Sequence, residues 1–432
     1  MAGGAGVRGS YVPSHRWRFL FVGACALIFV AAVACVSQLT SKGQAQTPKR
    51  TLTLTHTSLP PASAIGAFGL DLMRAQPSGN LVLSPYSVAT ALAMTGTGAA
   101  GQTATQMAQT LHLAKPSAFD AVGSLQRAIA AEQTEAAQGH PKAPTLTLAN
   151  GLFLQRGFPV KPAFTSGLQR HFDATPETVD FLGDPTGALN TINSWASDRT
   201  EGLIPELLPS LPGDTRLTLT NAIYLKADWL HRFAPANTDR ARFHSRAGTT
   251  PTEFMHTTEQ LRYGSHQSYA AVELPYRAST LSLLVVLPKE GEIDAFQRHL
   301  DAKGLAQIAH GLSPRSVRLS LPRFHLATQA SLNSILEALG MTAAFGESAE
   351  FPRITTRESL KIDLLEHAAD FSVDEAGTTA AAATALVVDA RSAPRSTVEF
   401  NANHPFLFFL RDRQTGAVLF AGRLSNPTSA TS

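Results

Sequence analysis

An α+β fold in a single large domain is what this sequence predicts, on three observations. Helical and alternating patterns follow one another from Pro60 to Pro427 without separating into blocks. No compositional boundary or internal repeat interrupts that span. It closes with a hairpin, Phe406 to Leu410 and Ala417 to Leu424, across Gln414, Thr415 and Gly416. The 432 residues suffice for one large domain or two average ones. A hydrophobic share of 44% and a charged share of 16% exclude a disordered or fibrous chain.

In chain order, Arg8, Arg16 and Arg18 precede an apolar run from Phe19 to Val36, the layout of an export signal. A buried core helix is the plainer reading, and the basic flank counts against it. The run ends Ala32-Val33-Ala34-Cys35. Ala-x-Ala suits ordinary signal cleavage, and small-small-Cys suits lipoprotein processing with a lipid on Cys35. About 18 residues also approach the minimum span of a bilayer, which allows an uncleaved anchor. Residues 1–34 are therefore assigned to an export signal or membrane anchor, and the protein is expected outside the cytoplasm, secreted or held by its N-terminus. Residues 35–58, rich in Ser, Thr, Gln and Lys, read as a flexible linker; 59–427 form the folded body and 428–432 a tail.

Cys25 and Cys35 are the only cysteines, so the body holds no disulfide and relies on packing. The net charge of +3 falls to zero without the three leader arginines, which excludes a dominant nucleic-acid surface.

Within the body, Ile65, Phe68, Leu70, Leu72 and Met73 mark a first amphipathic helix. Leu81 to Leu83 read as a short strand, and Ser84 as a helix cap before Pro85, a favoured first-turn residue. Gly96-Thr-Gly98-Ala-Ala-Gly101 matches the dinucleotide pattern, but that fingerprint needs a preceding strand, whereas Ser87 to Met94 reads as helix. Thr103 to Leu111 and Phe119 to Glu135 are helical, without the row of Lys and Arg that a polyanion site needs. Leu146, Leu148 and Leu152 to Leu154 have strand character. Leu217, Leu219, Asn221, Ile223 and Leu225 alternate as a half-buried strand before Trp229. Ser282 to Leu287 is a fully buried strand, and Val317, Leu319 and Leu321 alternate into Pro322-Arg323-Phe324. Ser331 to Leu339 is a helix stopped by Gly340.

The segment from Glu375 to Ser392 is different in kind. With period two, Thr378, Ala380, Ala382, Thr384, Leu386 and Val388 form an uncharged set able to face a core. Thr379, Ala381, Ala383, Ala385, Val387 and Asp389 form the other. Gly377 supplies a freely turning hinge. Alanine content alone favours a helix. The β-branched ends, Thr378-Thr379 and Val387-Val388, and the lack of charged faces favour a loop able to become a strand.

The hinge Glu375-Ala-Gly377-Thr378-Thr379-Ala-Ala-Ala-Ala383-Thr384, the stretch Asn403-His-Pro-Phe406 and Ala417 to Pro427 resemble the C-terminal signature of inhibitory serpins, the serine protease inhibitor family. Asn80-Leu-Val-Leu-Ser84-Pro-Tyr-Ser87 and Asn221-Ala-Ile-Tyr-Leu-Lys226 resemble further family stretches. Leu225, Glu350-Phe-Pro-Arg-Ile354 and His367-Ala-Ala depart from its usual residues.

The resemblance implies three β-sheets surrounded by about eight or nine helices, with an exposed reactive-centre loop over residues 375–396. It implies a hinge of Glu375, Gly377, Thr378, Thr379, Ala380, Ala381, Ala382, Ala383 and Thr384. The attacked bond follows the hinge glutamate by sixteen residues, which gives Arg391 and Ser392; fourteen residues back from Pro405 gives the same Arg391. Arg395 is a second cleavable position that leaves the hinge too long. Ser84, Ser87, Asn221 and His367 are implied as a latch under the parting strands, Trp195 as the residue packing where insertion begins, and Arg323 as the partner of Glu375.

The implied activity is suicide inhibition of a trypsin-like serine protease in a covalent complex, by a monomer without cofactor or metal. No Gly-x-Ser-x-Gly or His-Glu-x-x-His motif marks an enzyme. The alternative is a non-inhibitory carrier, chaperone or passive protease substrate of the same fold; a nucleotide-binding enzyme is the remote third reading.

Overall fold

The computed structural model describes residues 59–140, 143–378 and 396–427. The described residues contain nine α-helices and fifteen strands. α1 (Pro61–Ala75) opens on a proline at its first turn and buries Ile65, Phe68, Leu70, Leu72 and Met73. β1 (Leu81–Leu83) leads into α2 (Pro85–Gly96), whose twelve residues are all buried. α3 (Gly101–Thr110), α4 (Phe119–Ala137), β2 (Thr145–Gln155), α5 (Pro162–Phe172), β3 (Glu177–Val179) and α6 (Pro185–Arg199) follow.

The glycine-rich turn joins two helices. Gly98 lies where a Cβ would stand 2.2 Å from Ile354 Cγ1, and Gly101 takes φ +52°. The Glu350 carboxylate accepts from Gln102 N at 2.9 Å at the start of α3. A side chain of the chain itself thus fills the place a phosphate would take, and the unusual Glu350 gains a capping role.

The central layer is a six-stranded sheet ordered β10 (Phe324–Ser331), β11 (Leu364–Val373), β12 (Gly377–Thr378), β4 (Leu217–Asp228), β2, β3. Below β12 its neighbours pair directly: β11 runs parallel to β4 from Leu364↔Thr218 to Ala369↔Ile223. The remaining strands form one nine-stranded ladder. It comprises β5 (Thr238–Ser245), β6 (Gly248–Ser265), β7 (Tyr269–Pro275), β8 (Leu281–Pro288), β9 (Ser313–Pro322), β13 (Val398–Asn401), β14 (Phe406–Asp412), β15 (Val418–Leu424) and β1.

The three sheets expected from the resemblance appear as two ladders because β6, 18 residues long, serves two of them. It pairs β5 from Gly248 to Met255 and β7 from Arg262 to Ser265. α7 (Ile293–His299), α8 (Ala302–His310) and α9 (Asn333–Ala338) complete the fold. The helix expected from Ser331 is shorter, since β10 keeps Ser331.

The main core lies between the two ladders and takes in Leu217, Leu219, Ile223, Leu365, Ala369 and Phe371. The opposite face of the central sheet packs Ala149, Phe153, Ala222 and Ala368 against Ile192, Trp195 and Ala196 of α6. This cover is why β4 is buried on both faces over most of its length instead of being half-buried.

Candidate functional site

The sequence-predicted support residues gather along the seam where β11 meets β4. In its middle, His367 of β11 and Asn221 of β4 stand opposite each other. His367 Nδ1 donates to Asn221 Oδ1 at 2.6 Å, and Nε2 accepts from Ser84 N at 3.0 Å. That assignment follows because Ser84 N can only donate. Burial pulls the fully enclosed imidazole down to about 3, so it is neutral near pH 7.

Ser84 caps α2 by accepting from Ser87 N at 3.2 Å and also donates to Leu419 O at 2.7 Å. Ser87 Oγ donates to Asn150 Oδ1 at 2.9 Å, and Asn221 Nδ2 reaches that same oxygen at 2.5 Å and Ser87 Oγ. All four expected latch residues are brought together. The fifth, Asn150, was missed; its signal was an amide between Leu148 and Leu152 in a strand whose neighbours are apolar.

At the upper end the seam is already parted. Gly377 and Thr378 lie between the two strands, opposite Asp228 and Ala227 of β4, with Thr378 also opposite Val373 of β11. Thr378 is fully buried. Its Oγ1 meets the hydroxyl of Tyr276 at 2.5 Å, and Tyr276 stacks on Trp229 with centroids 4.5 Å apart. A Cβ on Gly377 would stand 1.9 Å from Ala227 O, so only glycine fits this close approach.

The turn entering this strand is held on every side. Asp374 Oδ1 accepts from Ala376 N and Gly377 N, and Trp229 Nε1 donates to Asp374 O at 2.9 Å. Arg323 Nε donates to both oxygens of Glu375 at 2.8 Å, and Thr238 Oγ1 donates to it at 2.5 Å. Burial pushes the Glu375 carboxyl up, but the Arg323 and Thr238 hydrogen bonds outweigh it and hold the group below its ordinary value. The expected Glu375–Arg323 pairing is present, and Arg323 also pairs with Glu253 at 2.7 Å.

Trp195 is a correction. It lies on α6, edge-on to Phe153 with centroids 5.4 Å apart and Arg199 above its ring, and the strand-entry point belongs to Trp229. The physical reason is placement: β4 ends at Asp228, which sets Trp229 beside Ala376, whereas Trp195 is carried beneath the sheet by its helix.

Thr379, Ala380, Ala381, Ala382, Ala383, Thr384, Arg391 and Ser392, and Cys35 of the leader, lie outside the described residues. Among the described residues, no group of three or more His, Cys, Asp or Glu side chains is placed to hold a metal ion.

Comparison with known proteins agrees with this geometry. Residues 63–427 match the family model described as serpin (serine protease inhibitor). A serpin-like protein of Thermococcus kodakarensis is 35% identical over 85% of this chain and 86% of its own. The leukocyte elastase inhibitor of Xenopus tropicalis is 34% identical over 85% of this chain and 99% of its own. Uncleaved ovalbumin superposes with a TM-score of 0.74 at 26% identity, covering 86% of this chain and all of ovalbumin. With the family model matched over residues 63–427 and relatives at 34–35% identity over 85% of its length, the chain belongs to the serpin family.

Proposed function

We propose that this serpin is an inhibitor of trypsin-like serine proteases that traps its target by inserting its own loop into the central sheet. The observation that carries the reading is the two-residue strand Gly377–Thr378, a first rung already seated between β11 and β4. Continued in the same register, Thr384 comes level with Asn221 and His367, so insertion would replace their mutual hydrogen bond by contacts to a new strand.

The chemistry belongs to the protease. Its serine attacks the Arg391 carbonyl, the amine of Ser392 leaves, and an ester joins Arg391 to the enzyme. Arginine before the bond suits a specificity pocket that ends in a carboxylate. The freed loop then inserts and carries the enzyme with it. A dozen new hydrogen bonds at about 1 kcal/mol each amount to on the order of 10 kcal/mol, comparable with the stability of a whole domain. The leader supports export, with the protein released, anchored, or lipidated at Cys35.

The test is incubation of the body, from Val36 onward, with trypsin. A covalent band on a denaturing gel and a released peptide beginning at Ser392 are expected. Cleavage without a covalent band would leave the family assignment intact and overturn inhibition in favour of a non-inhibitory role.

A further inference from the structure

Helix α4 changes its mode of attachment partway along. Its apolar anchors, Phe119, Val122 and Ile129, all lie at or before Ile129. From Ala130 to Ala137, about two turns, no residue is buried. The contacts that dock this end are polar. Gln133 Nε2 donates to Thr280 Oγ1 at 2.5 Å, and Gln133 Oε1 accepts from Ser279 Oγ at 2.6 Å. Thr280 Oγ1 in turn donates to Asp412 at the end of β14. Asp412 is fully buried and also accepts from Thr415 N and Thr415 Oγ1 at 2.8 and 2.6 Å. Three donors aimed at one carboxyl favour its ionised form.

Beside Gln133, Glu132 faces that same carboxyl and is hydrogen-bonded to it. Its Oε2 is buried, and no donor among the described residues reaches it. Two carboxyls bond only through a proton that one of them keeps, and the donors around Asp412 assign that proton to Glu132. Burial first, then the Asp412 charge, push the Glu132 carboxyl up to about 7.

The surrounding charges do not relieve the pair. Arg413 donates to the Thr280 and Ser279 carbonyls at 3.2 and 3.4 Å, Arg411 pairs with Glu273 at 3.1 Å, and Arg277 turns to the Leu230 carbonyl at 3.5 Å. On α4, Glu135 adds a like charge, and on α2 the buried Tyr86 hydroxyl is kept protonated by burial and by the Asp412 charge. On α1, Asp71 takes Arg74 and His112. On the α5 side, Arg127 donates to the Arg170 carbonyl at 3.0 Å and His171 stands 3.9 Å from Asp120, both nearer the start of α4.

We propose that a proton held between Glu132 and Asp412 is a latch that docks the last two turns of α4 onto the end of β14, and that its loss as the medium turns from mildly acidic to alkaline releases them. On release the Glu132 proton passes to water, and two facing carboxylates remain. A released Glu132 titrates near its ordinary 4.5. Between that value and pH 7 the docked helix binds the extra proton, so docking weakens as pH rises through this window, by about tenfold per unit, and no further above it. The chain leaving α4 becomes β2 at Thr145, the neighbour of β4 that carries Asn150, so the latch fixes how the chain enters the central sheet. It does not depend on the inhibitory reading.

The test is hydrogen exchange of the body at pH 5 and pH 7, read as protection factors, which divide out the pH dependence of free amides. Amides of residues 130–137 are expected to lose up to about a hundredfold in protection between the two, while those of α2 and the central sheet hold theirs. Glu132→Gln keeps a donor towards Asp412 at every pH and should keep the segment protected at both. Glu135→Gln, which removes only a neighbouring charge, should retain the pH dependence. Equal wild-type protection of 130–137 at pH 5 and 7 would overturn the latch without any variant. So would a loss in Glu132→Gln matching the wild type, or a fall in protection shared by the whole fold.

Discussion

The upper end and the middle of the β4–β11 seam are built on opposite principles. At the top, a two-residue strand has already entered, and it is gripped by an aromatic pair, a glycine that only fits without a Cβ, and a charged anchor between Glu375 and Arg323. In the middle, the strands touch directly through neutral groups, His367, Asn221, Asn150, Ser87 and Ser84, all hydrogen-bonded. The top holds a wedge and the middle holds the sheet shut. If the loop inserts as proposed, its barrier is concentrated where the polar network must be exchanged, and not at the top. Buried networks suit that task, because a half-broken one leaves unsatisfied groups at about 1–3 kcal/mol each.

The largest effect is expected from reversing the character of the wedge. Thr378→Arg would drive a cation into a fully buried site facing Tyr276, at a cost of several kcal/mol. Insertion should stall, so that trypsin cleaves the loop and escapes, and the stoichiometry of inhibition should rise severalfold. An unchanged stoichiometry would show that the wedge does not lead insertion.

The middle should begin to answer to acid at a higher pH than the top, where Glu375 is held below its ordinary value and gives up its contribution only as pH falls beneath the usual carboxylate range. His367 is neutral and held at about 3 by burial, whereas in the unfolded chain an imidazole binds a proton near 6.5. The unfolded state then binds more protons in between. The His367 contribution is complete above about pH 6.5 and is lost progressively as pH falls towards 3. Urea midpoints across that window should decline in the wild type. A His367→Gln protein should decline less, and an equal decline would assign the acid sensitivity to other groups.

Much of this was legible in the sequence, and what was not has identifiable physical causes. The latch residues Ser84, Ser87, Asn221 and His367 were legible through the resemblance of their stretches to the family, since on its own pattern Ser84 reads only as a helix cap. Asn150 was passed over because a single amide in a short apolar stretch carries no periodic signal. Trp195 and Trp229 show the limit of pattern: both follow recognisable stretches, and only the end of β4 at Asp228 decides which one stands beside the wedge. That one strand serves two of the sheets was not legible for a related reason. The 18 residues of β6 read as strand throughout, and no residue in them announces that its partner changes from β5 to β7.

A sharper separation of the two regions comes from removing one hydrogen bond in each. Asn150→Ala takes an acceptor from both Ser87 and Asn221 and leaves buried donors unmatched, so it should cost about 1–3 kcal/mol of intact-protein stability. It should also accelerate loop insertion, because the closed seam is what it weakens. Stability measured by urea unfolding, together with the rate of covalent complex formation, would check both signs.

Tyr276→Phe removes only the contact between its hydroxyl and Thr378 and keeps the ring stacked on Trp229. Its cost should be smaller, about 0.5–1.5 kcal/mol, since the Thr378 hydroxyl loses one partner and the aromatic packing is unchanged. The effect should fall on the wedge alone: fluorescence of Trp229 should report a looser environment, while the acid profile governed by His367 stays where it was. If Tyr276→Phe moved the acid profile as well, the two ends of the seam would be one cooperative unit. The division of labour between an open top and a latched middle would then have to be abandoned.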